Sequence, residues 1–323
     1  NLNLFDVLLK LNPNPITNFK FYNDSSDPIE TKLKFQAYGI KRGTFDNFLL
    51  GTVKKKGIAV LQPCDVKEII QDDVMYTLVV ENGQSLQKIH CGKVIAAYGK
   101  QNIFDKKLNR DFAARKSSLN GVKFHLDQSL FNILEKDTIH IIVSKGIYCG
   151  INSVNDNKVT VCFLENRREI QSNPRDQIKL LTDGNKNFKS LFANGVISAI
   201  NDLPVYGTGN IFFGKRDLVK NRIYFIGDSS AVIAPLAGDG IGMAMQNAKL
   251  ISEIFEKQRS NGLDNIQTEL YYIREWKKLF KKRLLISKLI QNIIMNNNYR
   301  KFGYNIIKIF PGLLENIITA TRG

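Results

Sequence analysis

A chain of 323 residues, 43% hydrophobic and 24% charged, can bury a sizeable core and suits about two domains or one composite one. No apolar run approaches the roughly 20 residues of a spanning helix, and four dispersed cysteines (Cys64, Cys91, Cys149, Cys162) without a CxxC pair exclude a zinc knuckle and a disulfide framework. The net charge of +16 comes with lysine spread along the whole chain, and without a Cys/His finger or an aromatic-glycine signature it does not indicate a nucleic-acid binder.

In chain order, "NLNLFDVLLKLNPNPITNF" is expected to form a short amphipathic helix ended by a proline-rich turn. Its abrupt start at Asn1, with no methionine and no signal peptide, reads as a piece of a longer protein. The stretches "FKFYND" and "ETKLKFQAYGIKR" alternate as half-buried strands do, and "RGTFDNFLLGTVKKKG" switches to helical spacing with Thr44 as N-cap and Gly57 as the stop. Lys54, Lys55 and Lys56 then fall in the last turn, where they favour the helix dipole and face solvent.

Short strands follow in "GIAVLQP", "DVKEIIQDD", "VMYTLVVENGQSLQKIH" and "GKVIAAYG", with Asn82-Gly83 expected as a type I′ turn. From 105 to 215 the text reads as a mostly antiparallel sheet: "GVKFHLD", "DTIHIIVSKGIYCGINSV" and "KVTVCFLEN", the last two joined across "NDN", with short helices near "RDQIKLL" and "NFKSLFAN". His90, His125 and His140 each lie in alternating surroundings with no second ligand at metal spacing, so no metal site is expected.

A buried strand, "RIYFIGD", then runs into "SSAVIAPLAGDGIGMAMQNAKL". A strand ending in Gly227-Asp228 presents a carboxylate at the carboxyl edge of a sheet, where α/β folds bind ligands. Pro235 makes a corner, and Gly238, Gly240 and Gly242 let a flat or anionic group approach the amides at a helix start. Read alone, the glycines equally suit a tight turn before a packed helix. From 263 onward the pattern is helical, with Pro311 breaking the last member.

This Gly-Asp to Gly-rich stretch resembles the second flavin-binding motif of FAD-dependent oxidoreductases with the aromatic-hydroxylase fold, which include geranylgeranyl reductases, aromatic monooxygenases and flavin halogenases. The resemblance implies an α/β (α+β) fold: an FAD-binding domain of the two-dinucleotide-binding type, an antiparallel substrate sheet and a C-terminal helical segment. It divides the chain into 1–104 (FAD-binding, with first substrate-sheet strands at about 15–38), 105–215 (substrate sheet), 216–260 (FAD-binding) and 261–323 (helical). Carried across, Asp228 would bind a ribityl hydroxyl, Pro235 would lie beside the isoalloxazine, and the backbone of Gly240, Ile241 and Gly242 would face its N1/O2 edge. Gly227 and Gly238 belong to the same cofactor-binding set, and Arg42, before the first long helix, is similar to an FAD-contacting arginine.

Two departures stand out. Tyr98 occupies the place of the aspartate in the family's Ala-Asp-Gly segment, and nothing before Arg42 matches the strand, GxGxxG and helix that cradle the pyrophosphate. The expectation is an N-terminally truncated member, the alternative being a degenerate relative that has lost this unit and holds FAD poorly. "SKGIYCGINSVNDNKVTVCFL" looks like the substrate-sheet segment of the geranylgeranyl-reductase branch, which makes Tyr148, Cys149, Gly150 and Asn152 substrate-cavity candidates. No catalytic acid or base is identified.

The implied activity is FAD-dependent reduction of C=C bonds in an isoprenoid or lipid-like substrate, with NAD(P)H as an electron donor. Hydroxylation of an aromatic or polyketide-like substrate is the alternative, and a non-catalytic lipid- or membrane-binding relative is the alternative of another class. The halogenase subtype is disfavoured because the lone tryptophan, Trp276, lies in the helical tail. A cytoplasmic setting is expected, with peripheral membrane contact through the basic C-terminal helices.

Overall fold

The structure, a computed structural model, describes residues 4–24, 27–72, 75–132, 134–173 and 175–322. Its first elements are α1 (Phe5–Leu9), β1 (Asn14–Tyr22), β2 (Ile29–Gly39), α2 (Arg42–Lys55), β3 (Asp65–Gln71), β4 (Tyr76–Asn82), β5 (Ser85–Cys91), β6 (Ile95–Ala96) and α3 (Ile103–Lys107). Then come β7 (Leu119–Asp127), β8 (Thr138–Ser144), β9 (Ile147–Ser153), β10 (Lys158–Asn166), α4 (Asp176–Gly184), α5 (Lys186–Leu191), α6 (Val196–Asn201) and β11 (Tyr206–Thr208). The chain closes with β12 (Gly214–Lys215), β13 (Val219–Lys220), β14 (Ile223–Phe225), β15 (Ala231–Val232), α7 (Gly240–Asn261), α8 (Asn265–Met295), α9 (Asn297–Ile309) and α10 (Pro311–Ala320).

Seven strands form one sheet in the order β11-β7-β10-β9-β8-β1-β2. Every pair is antiparallel except β1 with β8, where Phe19 and Phe21 lie beside Ile139 and Ile141 in parallel register. Both faces are covered. Ile147, Cys149, Ile151, Val161 and Phe163 pack with Ile178, Leu181 and Phe188 of α4 and α5, while Phe19, Phe21, Tyr148 and Leu164 face Ile294, Tyr304 and Leu314 of α8 to α10. Two-sided burial explains why β9 is buried at six of its seven positions and does not alternate with solvent.

The β9–β10 hairpin turns at Asp156 and Asn157, both in the left-handed region (φ 61° and 51°), which is the demand of a type I′ turn. The other expected hairpin is displaced by one residue. Asn82 pairs with Ser85, so Gly83 and Gln84 form the loop, and only Gly83 has positive φ (63°), the pattern of a type II′ turn.

Two local expectations are corrected. Thr44 is the third residue of α2, whose N-cap is Lys41, while Gly57 (φ 74°) does follow the helix end. "GIAVLQP" forms no strand: no described strand pairs with it, and Ile58 and Leu61 are exposed.

A smaller sheet, β13-β14-β6, carries the parallel pair β14·β6, in which Tyr224 and Phe225 oppose Ile95 and Ala96. Ile223, Tyr224 and Phe225 are fully buried, so the strand is held by apolar side chains on both faces and its carboxyl end emerges at Gly227-Asp228. Trp276 of α8 is also buried, packing with Tyr272 and Phe280 onto the elements around that end.

Candidate functional site

The Gly-Asp turn is braced from below. Gly227 sits at φ 59°, a conformation that favours glycine, and a Cβ there would touch Ala244. The Ser229 hydroxyl lies 2.6 Å from the carbonyls of both Ala96 and Ile226 and shares its one proton between them, tying the ends of β6 and β14 together. The amide of Asn247, with its oxygen turned toward the turn, accepts from Ser230 Oγ (3.0 Å), Trp276 Nε1 and Gly227 N (3.3 Å each) and donates to Tyr272 (2.8 Å).

Arg110 is the deepest brace. Its side chain is 0% exposed, pairs with Asp105 at 2.9 Å and donates to the carbonyls of Asp217 (2.8 Å) and Ser229 (2.7 Å). The guanidinium lies over the Phe225 ring, 3.6 Å from its centroid. Tyr98 completes the cluster, donating to Asp105 at 2.6 Å and accepting from Arg110 at 2.7 Å. Burial raises the Tyr98 phenol, and so does its bond to Asp105. Tyr98 thus serves a buried network.

Asp228 itself is left open. Its carboxylate accepts no hydrogen bond from any described residue. Burial raises its pKa, against the pull of Lys100, Arg216 and Arg42. Arg42 is exposed and bonded to Asp46 one helical turn on (3.1 Å), yet close enough to act on Asp228. Arg216, buried and stacked 4.0 Å from the Phe112 centroid, donates to the Lys100 carbonyl.

Beyond β15, Pro235 opens a short 3-10 turn through Ala237 that ends at Gly238 in the left-handed region (φ 62°). Pro235 and Gly238 are exposed. The next residue, Asp239, is the N-cap of α7 but makes no capping bond, because its carboxylate turns to Arg283 at 3.1 Å. Its carbonyl accepts from Met243 N (2.9 Å), while the amides of Gly240, Ile241 and Gly242 donate to no described residue. Three free N–H groups at the start of a 22-residue helix make a ready site for electron density. A Cβ at Gly242 would collide with Asp239 Oδ1, so glycine lets that carboxylate lie against the helix start.

On its other side the same turn walls an apolar cavity of about 230 Å³. Leu236 and Ala237 of the turn face Phe19 and Phe21 of β1, with Ile294, Ile307 and Leu314 from α8, α9 and α10 closing it. None of Tyr148, Cys149, Gly150 and Asn152 lines it. Alternation along β9 sends Tyr148 to this face and Cys149 to the core under α4 and α5. Burial pushes the Cys149 thiol up, and the Asn152 amide bonds the Ser153 carbonyl (3.0 Å). The bracing residues Arg110, Asp105 and Arg216 carry no local sequence signal. Lys100 and Arg322, which meet the site from elsewhere, carry none either. Among the described residues no group of His, Cys, Asp and Glu could hold a metal ion.

The open carboxylate of Asp228, the free amides of 240–242 and the exposed corner at Pro235 fit the ribityl chain and the electron-accepting edge of a flavin. No family model matches the chain. It is 21% identical over 213 residues to an uncharacterized protein of Methanocaldococcus jannaschii, covering 62% of this chain and 51% of that one. It is 28% identical over 111 residues to the ubiquinone biosynthesis monooxygenase COQ6 of Dictyostelium discoideum, covering 32% of this chain and 22% of that protein. These matches span about half or less of those relatives' own length.

Among solved structures, the flavin-dependent brominase Bmp2 matches with a TM-score of 0.74 at 15% identity, over 99% of this chain and 80% of that one. The flavin-dependent halogenase CmlS gives 0.66 at 17%, over 87% and 53%. Klebsiella pneumoniae HpxO, complexed with FAD and uric acid, gives 0.71 at 15%, over 96% and 80%. The chain has the fold of these flavin-dependent enzymes.

Proposed function

We propose that this chain is the ring-binding and substrate-binding part of an FAD-dependent oxidoreductase that acts on an apolar, lipid-like molecule. One observation carries the reading: a single turn, 235–242, offers three free amides at a helix start and also forms a wall of the apolar cavity. FAD, when bound, supplies two-electron chemistry, and the protein's task is to position it.

Each residue then has a part. Asp228 accepts from a ribityl hydroxyl, and the positive charges of Lys100, Arg216 and Arg42 oppose the rise that burial gives its pKa. The amides of Gly240, Ile241 and Gly242 stabilise negative charge on the ring edge. Leu236 and Ala237 place substrate against the ring, and the aliphatic walls keep it dry.

Ring and ribityl contacts fall to this chain. The reaction is reduction of an isoprenoid C=C bond with electrons from NAD(P)H, and hydroxylation is the competing one. Supplying the reduced enzyme with an isoprenoid alkene under nitrogen separates them: a reductase saturates the bond without oxygen, whereas a hydroxylase converts nothing until oxygen is admitted.

A second reading concerns where the enzyme works. Phe302, Ile309 and Phe310 are 67%, 69% and 63% exposed on α9 and the α9–α10 corner, beside Lys301 and Lys308. An apolar ridge flanked by lysines suits the surface of an anionic membrane. No helix among the described residues is long and apolar enough to cross one.

A further inference from the structure

The cavity under the 235–237 turn holds few polar groups, and most of them are engaged. Ser287 Oγ donates to the Leu284 carbonyl (3.2 Å), Thr321 Oγ1 to that of Ile318 (2.8 Å), and the Tyr304 hydroxyl to that of Asp27. Arg300 pairs with Asp24 at 2.8 Å.

Arg322 differs. It lines the cavity, yet its side chain makes no hydrogen bond or ion pair with any described residue, and its Nε is buried without a partner. Its guanidinium stands 4.6 Å from the Phe35 ring centroid, and Nη2 would lie 3.1 Å from a Cβ on Gly238. Asp239 is the nearby opposite charge, but that carboxylate is already neutralised by Arg283 at 3.1 Å. An arginine stays charged in a protein, and a desolvated cation without a contacting anion is costly. A ligand that brings the anion removes that cost.

We propose that Arg322 is the anion subsite of this cavity, so that its occupant is an amphiphile: an apolar body among Phe21, Ile307 and Leu314, and one carboxylate or phosphate at the guanidinium beside Gly238. The inference rests on reading the cavity as the substrate site. Ten-carbon amphiphiles, with an anionic head group or without one, serve as probes.

The test is calorimetric titration of the chain, without flavin, with decanoate, decyl phosphate, decanol and inorganic phosphate. Decanoate and decyl phosphate should bind at least ten-fold more tightly than decanol or inorganic phosphate, and the tighter of the two identifies the head group. Arg322→Met should lower both anions by about ten- to hundred-fold while leaving decanol unchanged, and Arg322→Lys should restore part of the loss. Ile307→Trp, which fills the cavity, should abolish binding of all three ten-carbon ligands.

Equal binding of decanoate and decanol would overturn the proposal, as would inorganic phosphate matching decyl phosphate, or a uniform loss for all ligands in Arg322→Met. So would no binding at all. If Arg322→Met does not fold, the wild-type preference for anion over alcohol decides alone. Flavin binding, read from visible absorbance, succeeds or fails independently of these titrations.

Discussion

Replacing Arg110 with methionine should be among the most damaging single changes in the chain. The guanidinium is 0% exposed and its partner Asp105 is 5% exposed, so the variant leaves a buried carboxylate without its cation. It also strips the carbonyls of Asp217 and Ser229 of their donor, and the second of these adjoins Asp228. Breaking a buried pair from one side costs about 3–5 kcal/mol, a large share of the roughly 5–15 kcal/mol by which a domain is stable. Urea denaturation followed by the fluorescence of Trp276, the lone tryptophan, reads this directly, because that ring is buried against the braced turn. The double variant Arg110→Met with Asp105→Leu should recover at least about 1 kcal/mol, since the more deeply buried of the two carboxylates that Arg110 pairs with is then gone and only Asp217, 30% exposed and 3.7 Å from the guanidinium, loses its cation. A single variant within about 1 kcal/mol of wild type, or a double variant no better than the single one, would refute the bracing role.

Other outcomes follow from the same structure. His140 is fully buried and bonded to the Tyr22 hydroxyl at 2.9 Å, and burial pushes its pKa from the usual 6.5 down to about 4, with Glu135 opposing. The unfolded chain therefore binds a proton that the folded chain refuses between these values. Stability should fall as pH drops from about 6.5 toward 4, by up to about 3 kcal/mol at the lower end, and His140→Gln should flatten that part of a stability-against-pH curve. Gly238→Ala places a side chain at φ 62° against Arg322 and should cost about 1–2 kcal/mol in urea denaturation; a neutral effect would mean the turn is not held left-handed. Vesicles containing phosphatidylserine should sediment the chain where neutral vesicles do not, and Phe302→Ser with Phe310→Ser should cut that binding at least ten-fold; indifference to lipid charge would refute the membrane reading.

What sequence could reveal here follows the range of the interactions. Alternation exposed β1, β2, β7 and β10, because one-sided burial is written into every second residue, whereas β8 and β9, buried on both faces, show as apolar runs bounded by turn residues. The Gly-Asp to Gly-rich stretch was legible because its demands are local: Gly227 and Gly238 need positive φ, Pro235 fixes a corner, and the helix start follows at once. Arg110 was not legible. Its partner Ser229 is 119 residues away, and a single arginine among many carries no spacing to read. Arg322 reaches the site only because α10 folds back onto β2. The 230 Å³ apolar cavity was not legible either: its walls come from β1 and the C-terminal helices, an arrangement decided by which helices cover which sheet face. "GIAVLQP" has a strand's composition and no strand beside it, and pairing, not propensity, makes a strand.

The most direct measurement titrates the chain with FMN, which carries the ring and ribityl chain without the adenosine half, following quenching of flavin fluorescence. Saturable quenching is expected, weakened about ten- to hundred-fold by Asp228→Ala through loss of a charge-assisted hydrogen bond. Absence of quenching, or equal affinity in Asp228→Ala, would contradict the assignment of the 227–242 stretch as a flavin cradle.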